Sequence, residues 1–289
     1  MKILVQFSGG KDSQACLIKS VKDYGKDKVT AVFCDTGWEH ADTYNHINDV
    51  VIKLGVPLVT LKSKKYNNFV DMSVKKGRFP STMARVCTSE LKVIPMIDYI
   101  LSQDESFIII QGIRAKESKA RSRYDVECSY FKEYFNDVEK GLYHKKAVLE
   151  WCKKHDASVL RPIFRWSAQD VIDYILSNGQ RPNPLYERGF SRVGCFPCVM
   201  CRKREVQLIS KDEWASKRLI DAEGRMKTET TRGSSFFSPG YIPKRFCANG
   251  NYPTVEEVFR YVNRNDAKLD LFEPEEGYSC MSIYHGLCE

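Results

Sequence analysis

The sequence predicts an open, doubly wound α/β domain with a mostly parallel sheet, followed by a cysteine-containing, α-rich C-terminal extension. Three observations predict it. Short apolar runs alternate with amphipathic helical stretches over the first 125 residues, the pattern of βαβ units whose sheet is covered on both faces. A glycine-rich turn joins the first apolar run directly to a helix. After that the rhythm weakens, and a cysteine cluster at 195–201 leads into a mixed, aromatic-rich tail.

Residues 2–7 read as a buried strand and 11–24 as the helix entered through the glycines. A second strand follows at 28–34, then a helical pattern over 40–54 with Tyr44, Ile47, Val50, Val51 and Leu54 on one face. Residues 57–61 form a third short strand, 89–102 a helix, and 107–111 a β-rich run ending at Gly112. Residues 126–156 are polar and aromatic, irregular or helical in pattern, and 159–163 add a strand. Ser167 is the N-cap of the next helix, with Asp170 in the capping-box position. Two prolines make 181–184 a loop. These assignments give a nucleotide-binding unit over 1–205, with its core in 1–125, and an extension over 206–289, with no Gly/Ser linker to mark the boundary.

Composition excludes several classes. With 43% hydrophobic and 28% charged residues in 289, the chain has ordinary globular make-up rather than that of a disordered protein. Its longest strongly apolar stretch, near 107–110, is far too short for a bilayer span, and the N-terminal apolar run meets Ser8-Gly9-Gly10 too early for a signal peptide. A cytoplasmic protein is therefore expected, without membrane partners. In that compartment eleven cysteines point to burial, metal ligation or thiol chemistry rather than disulfides. The net charge of +8 permits an anionic ligand without requiring one.

The strongest local signal is Ser8-Gly9-Gly10-Lys11-Asp12-Ser13, after a strand and opening a helix. The glycines let backbone amides approach a ligand, the helix N-terminus adds its positive dipole end, and Ser8, Lys11 and Ser13 add donors, a cradle for phosphate. It lacks the glycine spacing of the G-x-x-x-x-G-K-[ST] loop. A second signal is Cys195-Phe196-Pro197-Cys198-Val199-Met200-Cys201, whose thiolates at this spacing can converge on zinc or an iron–sulfur cluster, or act unligated as a redox dithiol. Cys16, Cys34, Cys128 and Cys152 read as packing residues, Cys247 and Cys280 have no assignment, and the five histidines lack ligand spacing with one another. Arg161, Arg165, Arg181, Arg188, Arg192, Arg202, Lys203 and Arg204, interleaved with Tyr186 and Phe190, form either a solvated basic surface or a site for a nucleotide or nucleic acid.

Residues 8–13 resemble the pyrophosphate-binding PP-loop of the adenine nucleotide alpha hydrolase superfamily. Three further segments make the chain similar to the phosphoadenosine phosphosulfate (PAPS) reductase family: Phe33-Cys34-Asp35-Thr36-Gly37-Trp38-Glu39, Gly112-Ile113-Arg114-Ala115-Lys116-Glu117-Ser118, and Asn183-Pro184-Leu185-Tyr186-Glu187-Arg188-Gly189-Phe190 leading into Gly194-Cys195. The resemblance implies a Rossmann-like PP-loop fold in which Ser8, Gly9, Gly10, Lys11, Asp12 and Ser13 hold the terminal phosphates. It sets Asp35 and Thr36 beside the nucleotide. Gly112 would let the backbone approach closely, and Arg114 suits a phosphate or sulfate. Asp12, Asp35 and Glu39 could instead serve Mg²⁺.

By the same resemblance, Cys87, in the segment Arg85-Val86-Cys87-Thr88-Ser89, joins Cys195 and Cys198 around a four-iron cluster, with zinc as the alternative. Family members carry adjacent cysteines there, whereas Val86 precedes Cys87, so Cys201 would supply the missing ligand. Reduction of PAPS would use Lys11 and a thiolate nucleophile, for which Cys288 is the candidate, with a thioredoxin-like dithiol as reductant. The family pattern Glu-Cys-Gly-Leu-His is replaced here by His285-Gly286-Leu287-Cys288-Glu289. Two alternatives accompany this reading: ATP-dependent sulfur insertion into a nucleic acid or small acceptor, and a non-catalytic nucleotide-binding module with structural zinc.

Overall fold

The computed structural model describes residues 1–136, 141–231, 235–248 and 250–267. Cys280 and Cys288 lie outside the described residues. The chain opens with β1 (Lys2–Gln6), α1 (Lys11–Tyr24), β2 (Val29–Cys34), α2 (Ala41–Leu54) and β3 (Leu58–Leu61). α3 (Phe69–Lys76) follows, then α4 (Val86–Thr88), which runs through a π-helical turn (Ser89–Val93) into α5 (Ile94–Leu101) and then β4 (Phe107–Ile110). β5 (Glu127–Ser129), α6 (Lys145–Trp151), β6 (Ala157–Leu160), α7 (Ala168–Ser177) and α8 (Pro184–Glu187) complete the sheet-bearing part. α9 (Lys203–Lys211), α10 (Glu213–Glu229) and α11 (Val255–Val262) make the extension helical.

The six strands lie in the order β3-β2-β1-β4-β6-β5, all parallel except β5, which runs antiparallel to β6. The doubly wound, mostly parallel sheet expected from the sequence is therefore present. β5 lies within the stretch read as irregular or helical; it is three residues long, too short to show a period. α7 starts with the expected box, Ser167 Oγ accepting from the Asp170 amide at 3.1 Å and the Asp170 carboxylate accepting from the Ser167 amide at 2.8 Å.

Alternating strand residues feed two cores. Ile3, Val5, Ile108 and Ile110 pack under α1, α2 and α7, while Leu4, Val32, Phe107 and Ile109 pack against α5, α6 and the aromatic segment at Tyr130, Phe131 and Tyr134. A third apolar cluster lies off the sheet. There Leu219, Ala222 and Met226 of α10 and Val255, Val258 and Val262 of α11 join Phe69 and Met72 of α3. No helix among the described residues is long and apolar enough to cross a membrane.

Candidate active site

From β1 the chain builds β2 and β3 to one side, then returns to place β4 on the other. Where the winding direction reverses, the loops leaving β1 and β4 part, and a crevice opens at the carboxyl ends of the strands. A cavity occupies that place. Residues 6–8 after β1, 32–34 of β2 and 111–113 after β4 line it, and Ser13, Glu39, Lys92 and Gly194 close it.

The glycine loop is braced by its neighbours. Gly9 has φ +81°, and a Cβ there would stand 2.8 Å from Thr43 Cγ2 on α2. Buried Asn183 donates through Nδ2 to the Gly9 carbonyl at 3.3 Å, while its Oδ1 accepts from the Leu185 amide at 3.0 Å. Gly10 is the N-cap of α1 and has no side chain to offer. The Tyr186 hydroxyl accepts from the Lys11 amide at 3.1 Å, and its ring lies 5.3 Å from Lys11 Nζ. The prolyl segment 183–186 is thus the outer support of the loop.

Two sequence expectations are refined here. Gly112 was read as allowing the backbone to approach a ligand, and it does line the cavity. Its missing side chain, however, also lets β4 abut α1, since a Cβ would meet Ser13 N at 2.7 Å and Asp12 C at 2.8 Å. Arg114 and Asp12, read as anion fork and magnesium ligand, pair with each other through Arg114 Nε and Asp12 Oδ1, and both are buried. Lys11 Nζ takes the other carboxylate oxygen at 3.1 Å. A buried guanidinium needs such a partner, because an unpaired buried charge is far more costly than a paired one.

The segment after β2 is organised around the buried Glu39 carboxylate. It accepts from Thr36 Oγ1 at 2.6 Å, the Thr36 amide at 3.2 Å, the Trp38 amide at 3.1 Å and Tyr44 Oη at 3.0 Å. Tyr44 Oη also lies 2.7 Å from Asp35 Oδ1, so one hydroxyl proton serves two carboxylates. Burial, followed by those two carboxylates, pushes the phenol well above its ordinary range. For Asp35 burial alone would raise the pKa. The Tyr44 and Gly37 hydrogen bonds and Lys62, whose ammonium stands 3.0 Å away, outweigh it and bring the carboxyl below its usual value.

This segment also binds the cysteine loop. Glu39 forms a β-bridge with Cys195, the Phe196 amide donates to the Trp38 carbonyl at 2.7 Å, and Trp38 Nε1 donates to the Pro197 carbonyl at 2.9 Å. Arg218 of α10 clasps the junction, donating to the carbonyls of Gly37 at 2.8 Å and Glu39 at 2.7 Å. Its guanidinium lies over the Trp38 ring at 4.2 Å.

Cys87, Cys195 and Cys198 line a second cavity. Cys201, expected as a fourth ligand, lies in the third apolar cluster with Val206 and Leu219, its amide donating to the Cys198 carbonyl at 3.0 Å. No group of three or more His, Cys, Asp or Glu side chains is in ligating arrangement among the described residues. Burial pushes the Cys195 thiol up to about 11, against the opposing pull of Lys92, and raises Cys201 well above the usual thiol value. The donor chemistry suits a soft metal, and three of the four proposed thiols share one cavity. Lys92 and Gly194 line both cavities, so the two adjoin.

With this geometry in place, similarity to known proteins is informative. Residues 2–201 match the family model of the phosphoadenosine phosphosulfate reductase domain. The chain belongs to that family. A 37.8 kDa uncharacterized protein of Escherichia phage 186 is 30% identical, over 99% of this chain and 96% of its own length. An uncharacterized protein of Methanocaldococcus jannaschii is 32% identical over 73% of this chain, which spans only 38% of that relative. The adenosine 5'-phosphosulfate reductase of Streptomyces coelicolor is 25% identical over 70% of each chain. Among solved structures, the PAPS reductase of Candida auris in a phosphate complex aligns with a TM-score of 0.47 and 18% identity, over 68% of this chain and 83% of that one.

Within this family member, three cavity residues escaped the sequence reading. Cys34, expected as a packing residue, also lines the cavity at the winding reversal, its thiol raised by burial to about 12 and its Sγ 3.6 Å from the Lys92 carbonyl. Lys92 sits on the π-helical turn, whose change of pitch hides its facing from a 3.6-residue pattern. Gln111 ended an apolar strand and carried no motif. Only its polarity at the last position of a buried strand could have marked it.

Proposed function

We propose that this protein binds an adenine nucleotide in the crevice between β1 and β4 and reduces a sulfonucleotide, PAPS or adenosine 5'-phosphosulfate. The adjoining of the two cavities at Lys92 and Gly194 carries this reading. A nucleotide laid across the glycine loop would have its anionic end on the first turn of α1 and beside Lys11, close to the cysteine loop. Asp12, Asp35 and Glu39, the candidates for Mg²⁺, are each engaged by protein donors. That favours an anion held by amides and cations over magnesium–ATP. Ser8, Ser13, Thr36 and Arg114 complete the proposed nucleotide-side set, Arg114 by fixing Asp12 and hence Lys11.

In such a reaction a cysteine thiolate bonds to the sulfate sulfur and the sulfur–oxygen bond to the nucleotide phosphate breaks. The adenosine phosphate leaves, and a dithiol of the thioredoxin type releases sulfite while becoming a disulfide. Cys288 is the proposed nucleophile and lies outside the described residues. Cys87, Cys195 and Cys198, with Cys201, would hold an iron–sulfur cluster or zinc, which when bound would tie the cysteine loop to the segment that carries Cys87.

The test is anaerobic purification of the full chain, assay of iron, sulfide and zinc, and incubation with each sulfonucleotide and a thioredoxin system. Sulfite release is the expected result, lost in Cys288→Ser. Pyrophosphate release from ATP in the presence of a nucleic-acid acceptor, without sulfite from either sulfonucleotide, would replace reduction by sulfur insertion. Nucleotide binding without turnover would leave a binding module. Lys11→Ala should weaken nucleotide affinity by about 1.5–3 kcal/mol, the scale of a charge-assisted hydrogen bond.

A further inference from the structure

Gln111 follows β4 and is 1% exposed. Its amide continues the sheet, donating to the Leu160 carbonyl at 3.0 Å. The pleat puts its side chain on the face of Phe107 and Ile109, an apolar core. Neither Nε2 nor Oε1 has a hydrogen-bond partner among the described residues. Buried carboxamides are normally satisfied, and one left bare inside a core is costly enough to call for a partner the chain does not supply. Gln111 also lines the cavity at the winding reversal, whose walls there include Val32, Phe33 and Ile113. A lining that combines apolar Val32, Phe33 and Ile113 with a buried carboxamide can accept a planar heterocycle, while Ser8, Ser13 and Lys92 supply the polar part of the same cavity.

We propose that Gln111 is a specificity-determining residue that reads the edge of the adenine base. A carboxamide offers a donor and an acceptor side by side. Adenine offers the complement, its 6-amino group as donor next to a ring nitrogen as acceptor, the pairing by which Asn and Gln recognise this base in nucleic acids. The Gln111 Oε1 accepts from the 6-amino group and Nε2 donates to the ring nitrogen, so a base lacking the amino group leaves Oε1 bare. The cavity thereby divides its work: the glycine loop holds charge, and Gln111 selects the base. This inference rests on the reading that the cavity holds an adenine nucleotide.

The experiment is calorimetric titration of the full chain with AMP, the part common to all the candidate nucleotides. Purine riboside 5'-monophosphate, which lacks only the 6-amino group, and pyrophosphate, which lacks the base, are titrated beside it. Wild type should prefer AMP over the analogue by about tenfold, the worth of one hydrogen bond. In Gln111→Leu the preference should vanish, AMP affinity should fall by at least about tenfold, and pyrophosphate affinity should stay unchanged. Exchanging an unsatisfied amide for an apolar isostere should not unfold the protein. Gln111→Met, with an unbranched side chain, repeats the measurement if leucine packs badly. A preference retained in the variants, or absent in wild type that binds AMP, overturns the role of Gln111 while leaving the nucleotide site standing. Wild type that binds no AMP overturns both.

Discussion

The glycine loop and the cysteine loop were the two strongest motifs in the sequence, and the structure completes them in opposite ways. The glycine loop is held chiefly by side chains: Asp12 sits between Lys11 and Arg114, which follows β4, and Asn183 and Tyr186 brace the loop from the prolyl segment. The cysteine loop is held through its backbone. Its backbone is pinned to Trp38 and Glu39, and that junction is in turn pinned by Arg218 from α10. Both regions join segments more than a hundred residues apart, the first through side chains and buried charge and the second through backbone hydrogen bonds.

The largest expected effect breaks the first region. Asp12→Ala removes the carboxylate that Lys11 and Arg114 share, and Arg114 is 1% exposed. Breaking a buried pair from one side costs about 3–5 kcal/mol, because the surviving charge is left uncompensated. Urea unfolding of the variant should show a loss of that size with an unchanged m-value. A loss below about 1 kcal/mol, the surface-pair range, would mean that Arg114 finds water or another partner and that Asp12 is not what holds the loop.

A smaller effect should separate the two regions. Arg218→Ala deletes donors to the Gly37 and Glu39 carbonyls and the cation over Trp38. Burial already lowers the pKa of this guanidinium, so its hydrogen bonds hold it in place against a desolvation cost. We expect a loss of about 2 kcal/mol, in the range for hydrogen bonds from a charged group. Cys195 should at the same time become more reactive toward thiol reagents as the loop loosens. AMP affinity should remain within about twofold of wild type, since a shift well below one hydrogen bond is expected. If AMP binding collapses with the thiol protection, the two loops form one cooperative unit and the contrast drawn between them fails.

The same contrast explains what could be read from the sequence. Both edges of α1 and the start of α7 were legible because periodicity and caps act within one helical turn. The strand, glycine turn and helix start of the glycine loop were legible for the same reason. What escaped was pairing across distance. Nothing near Arg114 announces that Asp12 will neutralise it, and nothing near Trp38 announces an arginine from α10. Cys34 and Lys92 escaped because facing depends on where a strand ends and where a π turn shifts the helix, both set by tertiary packing.

The smallest predicted effect probes the floor beneath the glycine loop. His46 of α2 lies 3.1 Å from Gln14 Oε1, and Gln14 Nε2 donates to the Arg181 carbonyl at 2.9 Å, linking α1 to the segment that precedes Asn183. Burial lowers the His46 pKa from 6.5 to about 4, Asp49 opposing the change only partly. The folded state therefore keeps the imidazole neutral while the unfolded chain takes up a proton as the pH falls through 6.5. Between these two values the unfolded state binds more protons, so stability falls with decreasing pH and the loss levels off once the folded pKa is passed. At about pH 5.5 the contribution is about 1 kcal/mol. His46→Gln, which keeps a hydrogen-bonding partner for Gln14 but cannot titrate, should flatten the dependence of Tm on pH over that window by the corresponding amount. Asp35, whose carboxyl is lowered, also costs stability as it takes up a proton, but at the acid end of the range. An unchanged slope between pH 6.5 and about 5 would show that His46 is solvated in the folded state, and that the floor of the loop is more open than its sealed rim.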